Sequence, residues 1–138
     1  MRAAASLALA LSLLSSVAMA GDLGPRLGPD GAWQVIELDG AEIAPSDNVV
    51  VSFNAGRISG NSGCNRFSGS YDLTRGLSFG GLAMTRMACP GRRGELEASF
   101  TAAMDRVNDW RFTDVEGAGT ELQLLRDARP VLRALLQP

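Results

Sequence analysis

A chain of 138 residues with 46% hydrophobic and 20% charged side chains has room for one globular domain and is too apolar for a disordered one. Its formal net charge is −2, all 13 cationic residues are arginine, and histidine is absent. The charge leaves no footprint for nucleic acid. The missing histidine removes Ser-His-Asp and Cys-His catalysis, His-rich zinc sites and the usual general base near neutral pH. No catalytic residue, metal ligand or cofactor is therefore expected.

Met1-Arg2 opens the chain with a positive charge, and an apolar run relieved only by serines follows from Ala3 to about Val17. The run closes on Ala18-Met19-Ala20, with small residues at both positions that a signal peptidase reads. This is the pattern of a secretory signal peptide over residues 1–20, cut before Gly21. A transmembrane anchor is the competing reading, but the run falls short of the ~20 residues needed to span a bilayer. No cysteine follows the cut, which disfavours a lipoprotein anchor. The mature chain is expected in the periplasm or outside the cell, with no transmembrane segment.

Residues 21–31 are rich in glycine and proline and read as a flexible leader. Short strand-like runs come next. Ala32–Leu38 places Trp33 and Val35 on one face, Ile36 and Leu38 on the other. Val49–Phe53, the turn Asn54-Ala55-Gly56 and Arg57–Ser59 read as a hairpin. Gly69–Leu73, Leu77–Phe79 and Leu82–Ala88 continue the strand pattern. A single helical stripe then appears: Leu96, Phe100, Ala103, Met104 and Val107 share one face, which predicts a helix over about 92–107. Strands resume at Asp109–Thr113, Thr120–Arg126 and Val131–Leu135. The order predicts an α+β domain over residues 32–137, a mostly antiparallel, partly open β-barrel of about eight short strands with one helix.

The most specific segment is Ser59-Gly60-Asn61-Ser62-Gly63-Cys64-Asn65-Arg66-Phe67-Ser68-Gly69-Ser70-Tyr71, paired downstream with Met84-Thr85-Arg86-Met87-Ala88-Cys89-Pro90. At these residues the chain resembles the META domain, the HslJ-like family of small bacterial envelope proteins. The resemblance extends from Trp33 to the Leu-rich end. It implies a small barrel with one helix, a place in the envelope, and a link to stress or antibiotic tolerance. It implies no catalytic residues, because none are established for the family. The lipoprotein cysteine of some relatives is missing here.

Read physically, the motif is architectural first. Gly60, Gly63 and Gly69 permit turns or close strand approach. Asn61 and Asn65 suit local backbone hydrogen bonds and left-handed turns. Phe67 and Tyr71 have the size for core packing. Cys64 and Cys89 form an even pair in an exported chain, which favours a disulfide over a reactive Cys89 thiol flanked by arginines. Arg66 and Arg86 have two readings: surface charges paired with Asp72, Glu95 or Glu97, or an anion-binding pair for a carboxylate or lipid headgroup.

Three functions compete. The first is a non-enzymatic accessory factor that binds an envelope protein or a small apolar or anionic ligand. The second is a structural or inhibitory interaction module without a ligand pocket. The third, a carboxylate- or thiol-based enzyme, would need converging carboxylates in a cleft.

Overall fold

The computed structural model describes residues 31–138. The expected signal peptide, its cut after Ala20 and the leader as far as residue 30 lie outside the described residues. Gly31, placed above at the end of the leader, is the first residue of a strand.

The elements run β1 (Gly31–Leu38), β2 (Ala41–Glu42), β3 (Val49–Asn54), β4 (Arg57–Ser62), β5 (Arg66–Asp72), β6 (Ser78–Phe79), β7 (Ala83–Met84), α1 (Arg92–Arg106), β8 (Asp109–Val115), β9 (Gly119–Arg126) and β10 (Arg129–Leu136). The strands form one antiparallel sheet in the order β6-β5-β4-β3-β1-β10-β9-β8, with β2 on β1 and β7 on β5. It curls into an open half-barrel around the single helix. β3 and β1 are its middle pair, and β1 in turn pairs with β10, with Trp33 opposite Leu136.

Local chemistry explains most of these elements. Ala55 and Gly56 both take positive φ, +47° and +76°, the two-residue turn whose twist matches a hairpin, so β3 and β4 pair residue for residue. Asp127 and Ala128 make the same kind of turn between β9 and β10 without a glycine, at φ +48° and +66°. Asn108 holds that turn: its Nδ2 donates to Asp127 Oδ1 at 2.9 Å, and its Oδ1 accepts the Asp127 N–H at 3.1 Å. β5 alternates cleanly, with Phe67, Gly69 and Tyr71 facing inward and Arg66, Ser68, Ser70 and Asp72 facing outward.

The helix buries Leu96, Phe100, Ala103 and Met104, the stripe expected from spacing. The Phe100 ring centroid lies 4.8 Å from that of Phe67. Arg106 in the last turn binds Asp39, past the end of β1. Around the helix pack Val35, Leu38, Val51, Ile58, Leu122, Leu124 and Leu132, all nearly or fully removed from water.

Two strands depart from simple alternation. The pairing of β1 with β10 shifts register between Val35 and Glu37, so Ile36 is an extra, bulged residue. Leu38 therefore returns to the inward face with Trp33 and Val35, instead of sharing a face with Ile36. A second shift, between Pro130 and Leu132, accommodates a proline that has no N–H to give and buries both Val131 and Leu132. The run expected over Leu82–Ala88 pairs only at Ala83 and Met84, opposite Ser68 and Phe67. The short β2 carries no strand pattern and forms because the chain doubles back onto Glu37 and Leu38.

Candidate functional site

The two motif elements meet at one corner, where the turn Gly63-Cys64-Asn65 joins β4 to β5. Gly63 has φ +96°, and a Cβ on it would lie 3.2 Å from Leu96 Cβ, so the helix seats against a residue with no side chain. The Gly63 N–H donates to Asn61 Oδ1 at 2.8 Å, a local side-chain turn. Gly60 permits close approach instead: a Cβ there would collide with the Val50 carbonyl of β3. On Gly69 a Cβ would press 2.8 Å from the Leu82 side chain. Cys64 is buried and joined to Cys89 by a disulfide, their Cα atoms 6.0 Å apart.

Asn65 is the hub of this corner. Its side-chain oxygen accepts the Met87 N–H at 2.7 Å and the Thr85 hydroxyl at 3.0 Å. Its Nδ2 donates to the Met87 carbonyl at 3.2 Å and to Glu97 Oε2 at 3.1 Å. That is two acceptances and two donations, the full capacity of an amide. The Asn65 backbone N–H faces Ser62 Oγ and Glu97 Oε1, each at 3.2 Å, while the Ser62 hydroxyl donates to Glu97 Oε1 at 2.8 Å. The side chain thus ties α1 to the segment after β7, and the backbone of the same residue adds Ser62 at the end of β4. Neither asparagine takes a left-handed conformation; Asn65 works as a cross-link rather than as a turn former.

Thr85 completes the arrangement. Its N–H donates to the Arg66 carbonyl at 3.0 Å and its Oγ1 accepts the Arg66 N–H at 3.0 Å. This explains the short β7: beyond Met84 the backbone bonds to Asn65 and Arg66 rather than continuing a strand ladder.

The arginines behave differently from the expected ion pairs. Glu97 turns inward to Ser62 and Asn65, and neither Arg66 nor Arg86 lies within 4 Å of a carboxylate among the described residues. Arg66 lines a shallow groove with Phe67, Ser68, Ala83, Met84 and Thr85, about 380 Å³ in volume. Arg86 does not line it, so the two guanidinium groups do not converge there. Arg93 donates from Nε to the Gly63 carbonyl at 3.1 Å. Arg92 grips Asp47 with two hydrogen bonds, 2.9 and 2.6 Å, which hold the Asp47 carboxyl below its ordinary pKa. A second cleft, about 160 Å³, lies between Leu38, Ile43 and the helix residues Arg92, Glu95, Leu96 and Ser99.

Spacing alone had offered Glu97 as a surface partner for arginine, and Ser62 and Thr85 had no role at all. The signal that could have found them is the position of Glu97 in the second turn of a helix that starts right after Cys89. Met87 was also missed, and its side chain is 57% exposed. Among the described residues no group of acidic, cysteine or histidine side chains is placed to hold a metal ion, and no helix is long and apolar enough to cross a membrane.

The family model for the META domain matches residues 26–137. No curated protein matches the chain. The NMR structure of a protein from Burkholderia xenovorans is similar, with a TM-score of 0.59 and 29% identity over 78% of this chain and 82% of that one. With the motif, the half-barrel and the family match in agreement, the chain belongs to the META domain family.

Proposed function

We propose that this chain is an exported, non-enzymatic accessory protein of the bacterial envelope, which supports stress or antibiotic tolerance by binding. The observation that carries the reading is the closed accounting at Asn65. Ser62, Asn65, Thr85 and Glu97 spend their polar atoms on one another and on the Met87 backbone, and the two thiols spend theirs on a disulfide. Such a site supplies rigidity and no reactive group. The disulfide also fits an oxidising compartment. Native mass spectrometry of the protein purified from its own cells tests the reading. A mass beginning at Gly21 and a co-purifying partner are expected; a product that keeps Met1 in a membrane overturns export.

A second reading is a small anionic or apolar ligand held at Arg66, with Arg86, which does not line the same groove, adding only its charge. The groove beside Arg66, floored by Phe67 and Met84, favours it. Titration with an anionic lipid on wild type and on the Arg66→Ala, Arg86→Ala double variant decides it. Equal affinities return both arginines to the surface.

A further inference from the structure

We infer that the segment Thr85–Gly91, with Arg66 and Arg93 beside it, is a preformed docking surface for an acidic patch on a partner protein, and that Met87 is its apolar anchor. The inference rests on the binding reading above and deepens it by naming a surface and a kind of partner.

The first ground is how this segment is held. Surface loops usually keep their shape by burying side chains. Here the backbone is pinned and the side chains are left outside. Thr85 is fixed to Arg66, Met87 has both its N–H and its carbonyl on Asn65, and Cys89 is tied to Cys64. The side chains of Arg86 and Met87 form no hydrogen bond or ion pair among the described residues, and Met87 does not pack on the core cluster. At 57% exposure it is the more open of two large apolar side chains on the described surface, against 37% for Val115. A fixed backbone lowers the ordering cost of binding, and methionine and arginine are residue types that interfaces favour.

The second ground is charge. Arg92, Arg106, Arg126 and Arg133 each have a carboxylate within 4 Å, whereas Arg66, Arg86 and Arg93 have none among the described residues. The same is true of Arg57, Arg75, Arg111 and Arg129, but Arg66, Arg86 and Arg93 are the ones on or beside this segment. Glu97 faces inward, and Glu95 lines the separate cleft by Leu38 and Ile43. Three cations without a carboxylate partner therefore lie on or beside the segment that carries one exposed methionine, in a chain of net charge −2. Carboxylates on a partner would complement them.

The observations favour a protein over a membrane. Three arginines and one methionine give an anionic bilayer an attraction of only roughly millimolar strength. A pocket shaped to a fixed loop gains packing around Met87 and directed hydrogen bonds to the guanidinium groups, which a fluid surface does not offer.

The experiment uses the full mature protein as bait against an extract of its own cells, with Met87→Ser, Arg86→Glu and, as a distant control, Val115→Ser. Thermal unfolding is expected to be unchanged in all three. The expected result is a captured protein with an acidic surface, released by raising the salt concentration. It should be retained by Val115→Ser and weakened at least tenfold by each of the other two. Capture that is equal in all four proteins overturns the surface and leaves the binding reading intact. Failure to capture any protein overturns both. A parallel arm adds phosphatidylglycerol vesicles, and tight vesicle binding lost in Met87→Ser replaces the protein partner by a membrane and overturns the inference.

Discussion

Asn65 and Trp33 are both nearly or fully removed from water, but their surroundings are made from opposite materials. At Asn65 every polar atom of the side chain has a partner, drawn from two separate parts of the chain, the segment after β7 and α1. Trp33 is fully buried, its ring 5.6 Å from Phe112, and its Nε1–H has no partner among the described residues. Burying a side chain of that size contributes about 5 kcal/mol, which exceeds the ~1–3 kcal/mol cost of one unsatisfied donor. Apolar area therefore tolerates an imperfection that a polar hub does not. The difference separates two jobs: the interior supplies stability, and the corner sets the position of α1 and of the Thr85–Gly91 segment.

The sharpest way to break the comparison is at the interior. Phe100→Ala removes a ring at 0% exposure and is expected to cost about 3–5 kcal/mol in chemical denaturation. A change near zero would mean that the helix stripe does not carry the fold. At the corner, replacing Cys64 and Cys89 together by alanine removes a cross-link over 25 residues and is expected to cost roughly 3–4 kcal/mol by chain entropy. Asn65→Ala strands the Met87 backbone and Glu97 together and is expected to cost about 3 kcal/mol. A double-mutant cycle with Glu97→Gln should show strong coupling, because the two side chains share partners. Additive losses would reduce the hub to separate contacts.

Glu121 extends the comparison to a polar group that can be titrated. It is 2% exposed on β9, with Arg133 Nε and Nη2 each donating to it at 2.8 Å and Gln123 Nε2 at 2.7 Å. The Arg133 hydrogen bonds hold its pKa below the ordinary value, and Gln123 adds to this against the opposing effect of burial. A depressed carboxyl contributes stability that is complete above about pH 4.3 and lost as pH falls through the folded-state value. Glu121→Gln is expected to cost about 1 kcal/mol at neutral pH and to flatten the acid side of the stability profile, leaving the slope due to Asp47 and Asp72. An unchanged profile would take Glu121 out of the acid response.

The smallest effect is expected at Trp33. Trp33→Phe loses area but also removes the unpaired N–H, so stability should stay within about 1 kcal/mol of wild type by urea unfolding. A loss near that of Phe100→Ala would mean that the indole nitrogen has a partner after all.

Much of this molecule was legible before any tertiary contact was known. The helix followed from Leu96, Phe100, Ala103 and Met104 because a 3.6-residue period is written locally. The β3–β4 hairpin followed from Asn54-Ala55-Gly56, since a two-residue turn needs positive φ where the glycine stands. Phe67 and Tyr71 were legible as core by their size, although the strand expected over Gly69–Leu73 in fact runs over Arg66–Asp72. What could not be read depended on residues far apart. The bulge at Ile36 exists because β1 must match β10, nearly a hundred positions away, and it moves Leu38 to the other face. The end of β7 depends on Asn65, and the orientation of Glu97 depends on a turn some thirty residues earlier.

Composition and local period determined that this is one small domain of short strands and one helix, without histidine chemistry, because those properties belong to each segment by itself. Only the tertiary structure decided that Asn65 is a hub rather than a turn, that Arg66 and Arg86 do not share a groove, and that Met87 stands in solvent on a fixed backbone. The physical reason is the same in each case. A hydrogen bond is directional and short, so which donor meets which acceptor is settled by where β4, α1 and the segment after β7 come to rest against one another.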